Sequence, residues 1–130
     1  MRNNKVSVYS VVMVGVAAVC CWLSLTPLHA QTVSGNILGV VQDQQGALVA
    51  NANVTARNVG TGAVRETTTE GNGTYRIDSV PAGSYEVTAA IGGFKTEIRT
   101  GIVVTVGGDV SVNFSLTVGA ASEKIEVTAG

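Results

Sequence analysis

The sequence predicts an all-β domain, a sandwich of seven or eight antiparallel strands that follows an N-terminal leader. Short runs of alternating apolar and polar side chains recur along the chain, separated by turn residues at intervals of about 8–12 residues. The composition agrees, since 16 of the 130 residues are glycine, while 13% are charged and 5% are aromatic. This composition is typical of a small domain built from many short strands and turns.

The N-terminal segment, residues 1–30, has the layout of a secretory signal peptide. It begins with two basic residues, continues with the largely apolar run Val6–Leu25 and ends with the short exit Thr26–Ala30. We expect cleavage after Ala30. The alternative is an uncleaved membrane anchor, because an apolar run of about 20 residues is just long enough to span a bilayer.

The rest of the chain lacks the residues of several common kinds of site. Both cysteines, Cys20 and Cys21, and the single histidine, His29, lie in the leader. Catalysis by Ser-His-Asp or Cys-His, an ordinary zinc site and a disulfide are therefore excluded after residue 30. Six basic and nine acidic residues follow the leader, a net charge of −3 without blocks of like charge. This distribution does not suit nucleic-acid binding.

The first three strands can be placed by alternation. Ile37–Val41 predicts a first strand with apolar residues on both faces, and Gln42–Gly46 predicts a turn. Ala52–Ala56 predicts a second strand whose alternate apolar residues face the core. The polar segment Ala63–Glu70 predicts a third strand, and its run Thr67–Thr69 fits an exposed sheet edge.

The stretch Gly73–Val87 predicts two strands joined by a tight turn. Its residues alternate around Tyr75 and Tyr85, while Pro81 and Gly83 suit the turn between them. We expect a hairpin whose tyrosines lie in the core. The alternative is that the two tyrosines form an exposed pair that stacks on sugars.

Glycines mark the remaining turns. Gly71–Gly73 predicts a hairpin turn before the tyrosine stretch, and Gly107–Asp109 predicts another turn. Gly92–Gly93 ends a strand and places Phe94 at one end of the core. Between these turns, Lys95–Val106 predicts one long strand or a pair of strands interrupted at Gly101.

Two strands complete the expected fold. Val110–Val118 shows the most regular alternation in the chain, and Glu123–Thr128 predicts a short last strand. Carboxylates such as Asp43 and Asp109 fall in turns, where solvation is expected. A calcium site built from one of these two residues and backbone carbonyls is the alternative, although the chain has no acidic series of fixed spacing. We predict no catalytic, cofactor-binding or metal-binding residues.

A series of motifs covers residues 33–118 in a specific order. It comprises Ile37-x-Gly39-x-Val41-x-Asp43, Gly46-Ala47, Ala52-x-Val54, Thr61-Gly62, Gly73-x-Tyr75-x-Ile77, Val80-Pro81-x-Gly83-x-Tyr85-x-Val87 and Gly93-Phe94. This series resembles the carboxypeptidase regulatory-like domain. The resemblance implies a transthyretin-like (prealbumin-like) sandwich, related to the Ig-like sandwiches, in which the chemistry of the carboxypeptidases belongs to a separate domain.

An exported copy of this domain resembles the N-terminal extension of TonB-dependent outer-membrane receptors, in particular the Oar-like receptors. In those receptors a linker, a plug and a β-barrel follow, and Ser122–Ala129 resembles the segment that leads into the plug. The resemblance implies a signal peptide over 1–30, a domain over 31–118 and a linker over 119–130. The chain is then either a fragment of a longer receptor or a free-standing periplasmic module.

The resulting expectation is a non-catalytic interaction or scaffold module in the periplasm or outer membrane of a Gram-negative bacterium. Its partner would be another protein or the rest of the receptor, bound by strand addition at an edge such as Thr67–Thr69. The alternatives are a carbohydrate-binding module, since starch-binding-like domains share the sandwich, and the accessory domain of a secreted peptidase. We expect no cofactor and no nucleic-acid partner.

Overall fold

The computed structural model of the protein describes residues 12–17 and 33–129. The chain divides into two compact units, Met1–Gln31 and Thr32–Gly130. In the first unit, residues 12–17 are helical. The rest of the predicted signal peptide, including its cleavage site after Ala30, lies outside the described residues. Within the described ranges, no helix has the length and apolar character needed to cross a bilayer.

The second unit is a β-sandwich of two mixed sheets. Its strands are β1 (Ser34–Asp43), β2 (Asn53–Asn58), β3 (Val64–Thr68), β4 (Thr74–Pro81), β5 (Gly83–Ala90), β6 (Thr96–Val104), β7 (Asp109–Ser111), β8 (Phe114–Leu116) and β9 (Lys124–Thr128). One sheet has the order β4-β1-β7, with β8 also paired to β1. The other sheet has the order β3-β2-β5-β6-β9. The all-β sandwich that the sequence predicts is therefore confirmed.

The expectation of purely antiparallel pairing is corrected at three strands. Strands β7 and β8 both run parallel to β1, and β9 runs parallel to β6. Parallel pairs join segments that are distant in sequence, so alternation within each strand carries no information about them. The predicted strand over Val110–Val118 is divided into β7 and β8, and Val118 is 74% exposed instead of continuing the buried face.

Neither of the two predicted hairpins forms, because in each case the chain crosses from one sheet to the other. Strand β4 pairs with β1, whereas β5 pairs with β2 and β6, so Pro81–Gly83 is a corner between sheets. The Tyr85 hydroxyl donates a hydrogen bond to the Pro81 carbonyl at 2.7 Å and fastens this corner. A tyrosine that bonds the backbone a few residues upstream serves the same purpose in other β-sandwiches.

The corner before β4 has a different cause. The Gly73 amide donates to the Glu70 carbonyl at 2.9 Å, so the turn predicted at Gly71–Gly73 is tight. However, the Thr69 hydroxyl donates to the Val49 carbonyl at 2.7 Å and accepts from the Ala52 amide at 2.9 Å. These bonds tie the residue after β3 to the segment that precedes β2, whereas β4 pairs with β1, so β3 and β4 lie in different sheets.

The alternating residues of both sheets meet in a single core. The buried apolar residues are Ile37, Val41, Val49, Ala52, Val54, Ala56, Tyr75, Ile77, Val80, Tyr85, Val87, Ala89, Ile102, Val104, Val112, Phe114 and Leu116. Phe94 packs against this core, as predicted. The core tyrosines predicted at Tyr75 and Tyr85 are confirmed, since they are 4% and 2% exposed.

Strand β6 is continuous, but Gly101 changes which of its residues face the core. The β5–β6 pairing passes from Tyr85↔Ile102 to Val87↔Arg99, which leaves one extra residue on β6. Gly101 adopts a φ of 74°, the left-handed conformation that a glycine takes in such a bulge. The bulge is the interruption that the sequence suggested within Lys95–Val106.

The tightest backbone approach in the sandwich lies beside Gly39 of β1. A Cβ atom at this position would lie 1.9 Å from the Val112 carbonyl oxygen and 3.0 Å from Cε1 of Tyr75. The Val112 amide donates to the Leu38 carbonyl at 2.8 Å, and the same Val112 carbonyl accepts the Tyr75 hydroxyl. Only glycine allows the segment between β7 and β8 to approach β1 this closely.

Burial of Tyr75 also affects its ionisation. Desolvation raises the pKa of the phenol above its ordinary value, and the positive charge of Arg99 lowers it by a smaller amount. The ring lies 6.3 Å from that of Phe114, in a tilted arrangement. Because the hydroxyl donates to Val112, the folded state requires the protonated phenol.

The Gly39→Ala substitution is expected to destabilise the domain by about 3 kcal/mol, the upper end of the range for overpacking, because the Val112 backbone must move away. Denaturant unfolding of the full chain measures the change. Gly71→Ala is the matched control, since a Cβ at Gly71 would meet no atom within 4 Å. Equal midpoints for the two variants would contradict the close approach.

The stability of the domain is expected to fall as the pH rises above 10, where a tyrosine of the unfolded chain ionises and Tyr75 of the folded domain does not. The folded-state pKa is the higher one, so this stabilisation is complete below pH 10. Its loss approaches about 1.4 kcal/mol per pH unit. The free energy of unfolding, measured above pH 10 for the wild type and for Tyr75→Phe, isolates the effect. If it falls equally steeply with pH in both proteins, the prediction is contradicted.

Candidate interaction site

Strand β3 forms one edge of the five-stranded sheet, as the sequence predicts for this polar segment. All its residues are exposed except Thr67, which is partly exposed. It pairs with β2 over its whole length, from Arg57↔Val64 to Asn53↔Thr68, without a bulge. The strand also contains no glycine and no proline, so its edge is regular.

The hydrogen bonds that flank β3 identify the backbone groups on its free side. The Asn58 amide donates to the Ala63 carbonyl at 2.8 Å, and the Thr69 amide donates to the Ala52 carbonyl at 2.9 Å. In an antiparallel ladder, bonded pairs recur at every second residue. The amides and carbonyls of the alternate residues therefore point away from β2; these residues are Val64, Glu66 and Thr68. Among the described residues, no strand pairs with β3 on that side.

Two buried polar residues hold the ends of this edge in place. Asn58, only 8% exposed, accepts hydrogen bonds from the amides of Gly60 and Thr61 at 2.9 and 3.0 Å. At the other end, Thr69 is 3% exposed and bonds two backbone groups. The expectation that all of Thr67–Thr69 is exposed is therefore wrong at Thr69, because its hydroxyl satisfies buried backbone groups that the sequence alone does not reveal.

The other sheet edges are less regular or shorter. The β1–β4 register shifts between Gly35 and Ile37, which places an extra residue on β4, and that strand ends at Pro81. Strands β7 and β8 have three residues each. Strand β9 has five residues, but it pairs with β6 in parallel, which is the slightly less stable of the two ladder types. Strand β3 is therefore the most suitable edge for adding a further strand.

A shallow groove of about 550 Å³ lies on the four-stranded sheet. Leu38 and Val40 of β1 are half-buried at its centre. Polar residues on both sides include Arg76 of β4 and Ser111 of β7, which both lie opposite Leu38. Tyr75 also lines the groove, but its ring is buried, so it presents no open face for stacking on a sugar. The hypothesis of an exposed tyrosine pair is not supported by this burial.

An ion pair lies on the core-facing side of β6. Glu97, 6% exposed, accepts from Arg99 at 3.0 Å, and the Arg99 guanidinium lies 5.9 Å from the centre of the Phe114 ring. Glu97 Oε2 and Arg99 Nε have no hydrogen-bond partner among the described residues. The sequence pattern did not predict this pair, because a polar residue in an alternating strand is expected to face solvent. Glu97 and Arg99 are two residues apart, so they lie on one face of the strand, and Gly101 follows at the same spacing. This spacing was the available signal.

The carboxylates considered as ligands take part in local contacts. Asp43 accepts hydrogen bonds from the amides of Gln45 and Ala47, both at 2.9 Å, and so closes the predicted turn after β1. Asp109 accepts from the Asn36 side chain at 2.8 Å. Among residues 12–17 and 33–129, no group of three potential metal-binding side chains lies together. Both carboxylates that the sequence offered for a calcium site thus take part in local hydrogen bonds.

Solved structures of other proteins share this fold. A Bacteroides uniformis protein provisionally assigned as carbohydrate-binding is 26% identical, with a TM-score of 0.55, and the match covers 66% of this chain and 42% of that one. The Bacillus anthracis TIE protein is 18% identical, with a TM-score of 0.53, over 66% of this chain and 17% of that one. This chain thus matches less than half the length of either protein.

Catechol 1,2-dioxygenase from an Acinetobacter species is 12% identical, with a TM-score of 0.51, over 78% of this chain and 60% of that one. At this identity, as for the Bacillus protein, the likeness concerns the fold alone. Among curated proteins, none matches the sequence closely enough to count as a relative.

The family model of the carboxypeptidase regulatory-like domain matches residues 36–117. These residues extend from β1 to just beyond β8, so the match includes the β3 edge and every strand except β9. The family is a regulatory and binding fold rather than a catalytic one. The resemblance seen in the motifs between Ile37 and Phe94 is thereby confirmed, and this chain belongs to the carboxypeptidase regulatory-like domain family.

Proposed function

We propose that this domain is a non-catalytic interaction module that binds an extended segment of a protein partner by strand addition at β3. The observation that carries the proposal is the row of unpaired amides and carbonyls at Val64, Glu66 and Thr68. An added strand satisfies these groups and extends the five-stranded sheet, a recurrent mode of peptide recognition. The anchored ends at Asn58 and Thr69 hold the row in an extended conformation before binding, which lowers the entropic cost.

Glu66→Pro is expected to abolish strand addition while leaving the β2–β3 ladder intact. Proline removes the Glu66 amide, which points away from β2, and proline is tolerated on edge strands at such positions. The probe is a nine-residue peptide of alternating threonine and valine, added at millimolar concentration to the full chain. Hydrogen exchange followed by NMR should show protection of the Val64, Glu66 and Thr68 amides in the wild type.

Glu66→Gln is the matched control, because it removes the charge but keeps the amide, and it should retain protection at all three positions. Glu66→Pro should lose the protection at Val64 and Thr68 with an otherwise unchanged spectrum. A wild-type edge that gains no protection from the peptide would overturn the proposal.

We further propose that the domain belongs to the N-terminal part of a TonB-dependent outer-membrane receptor and acts in the periplasm. The support is the resemblance of its motifs to the extension of such receptors, together with the signal-peptide layout of residues 1–30. The boundaries 31–118 for the domain and 119–130 for a linker form part of this proposal. Within the latter range, residues Lys124–Thr128 form β9.

Two observations test the receptor context. A coding sequence that continues past Gly130 into a plug and barrel would support it, whereas continuation into a hydrolase would favour the accessory domain of a secreted peptidase. N-terminal sequencing of the exported protein should give Gln31 as the first residue. An intact N-terminus would indicate the membrane-anchor alternative.

A carbohydrate-binding module is the second candidate function. It is favoured by the similarity to the Bacteroides protein and by the groove around Leu38 and Val40, which polar residues such as Arg76 and Ser111 flank. The absence of an open aromatic ring among the described groove residues weakens it. Calorimetric titration of the full chain with soluble oligosaccharides, with Arg76→Ala as the groove variant, distinguishes the two functions. If the domain acts only by strand addition, the oligosaccharides should give no heat of binding. Saturable oligosaccharide binding that is lost in Arg76→Ala would favour the carbohydrate-binding function.

A further inference from the structure

We propose that the segment accepted at β3 runs antiparallel to it and carries a basic residue followed directly by an acidic residue. The basic residue would lie opposite Glu66 and the acidic residue opposite Arg65. This inference rests on the proposed function, strand addition at β3, and assigns the chemistry of the partner that the edge selects.

The unpaired charges of the sandwich carry the proposal. Six basic residues lie within residues 33–129, and four of them form ion pairs. The pairs are Arg57–Glu86, Arg76–Asp78, Lys95–Glu123 and Arg99–Glu97. The two basic residues without an ion pair in this range are Arg65 and Lys124, one on each edge strand of the five-stranded sheet. On β3, the neighbouring Glu66 also has no ion-pair partner there.

The two charges on β3 lie on opposite faces of the sheet. Arg65 pairs with Ala56, a core residue, and so lies on the core-facing side of the edge, whereas Glu66 pairs with Thr55 on the outer face. Both residues are exposed. Charged side chains on an edge discourage indiscriminate pairing. A partner strand therefore has to neutralise one charge on each face.

The ladder fixes the order of the two complementary residues. An antiparallel ladder is the slightly more stable pairing per residue, so we take the partner in that direction. The residue opposite Glu66 then precedes the residue opposite Arg65, and the partner reads basic then acidic. Because Arg65 turns its own amide and carbonyl toward β2, it would form a non-hydrogen-bonded pair with the new strand. Such pairs bring their Cα atoms to about 4.5 Å, which places the Arg65 charge close to its counterpart.

A second copy of this chain fits the edge poorly. A symmetric antiparallel pairing centred on Glu66 places two glutamates opposite each other, and one centred on Arg65 places two arginines opposite each other. Directly opposed like charges destabilise a sheet. The charge pattern therefore favours a different protein segment over self-pairing in these registers.

Two nine-residue peptides of identical composition test the order of the charges. Both alternate threonine and valine, but one has a central Lys-Glu pair and the other has Glu-Lys. NMR titration of the full chain should show the Lys-Glu peptide binding about tenfold more tightly, because directly opposed unlike charges stabilise a sheet and directly opposed like charges destabilise it. High salt should reduce this difference.

Exchanging the two charges on the protein should reverse the preference. The double variant Arg65→Glu with Glu66→Arg keeps the net charge and should bind the Glu-Lys peptide more tightly. The matched control is Lys124→Glu with Glu126→Lys, which changes charges on β9 and should keep the wild-type preference. Spectral dispersion equal to that of the wild type confirms that each variant is folded.

The outcomes separate this inference from the function on which it rests. If both peptides and the uncharged peptide protect the β3 amides equally, strand addition stands and the charge rule is overturned. A wild-type preference for Glu-Lys overturns the antiparallel orientation. If the β3 amides become protected with rising protein concentration alone, the edge is occupied by a second copy and the inference fails. If no peptide protects them, the proposed function itself fails.

Discussion

The close contact between Gly39 and the Val112 carbonyl is the constraint on which the four-stranded sheet depends. At this point the segment between β7 and β8 runs beside β1, and there is room for no side chain at Gly39. The Val112 backbone donates to Leu38 and accepts the Tyr75 hydroxyl, so three strands are joined through a single residue. The neighbouring Asn113 side chain accepts from the Val40 amide at 3.0 Å and replaces a ladder bond where the two short strands are interrupted.

This arrangement helps to explain why the candidate site lies on the other sheet. The partners of β1 are a bulged strand that ends in proline and two three-residue strands, so their outer edges offer few regular backbone groups. The five-stranded sheet instead ends in β3, which is regular and anchored by the buried side chains of Asn58 and Thr69. Its outward-facing backbone groups and its two charges are the features on which the proposed strand addition rests.

Residues with a strong local pattern were predicted correctly. Tyr75 and Tyr85 were expected in the core because each lies on the apolar side of its alternation, and both are buried. The polarity of Val64–Thr68 indicated an edge, and β3 is one. By contrast, Glu97 was not predicted to be buried, since its burial depends on the strands that pack over β6. Thr69 was misplaced for a similar reason, because the backbone groups that it bonds come from residues 17 and 20 positions away.

The sequence by itself determined the class of the fold, the family, the core tyrosines and the polarity of the edge strand, because each of these follows from local alternation and motif spacing. The tertiary structure decided which strands share a sheet. It turned two expected hairpins into corners between sheets and made β7, β8 and β9 parallel to their neighbours. It also showed which amides and charges remain unpaired at β3. These features depend on pairing between distant segments, which the pattern within one strand does not specify.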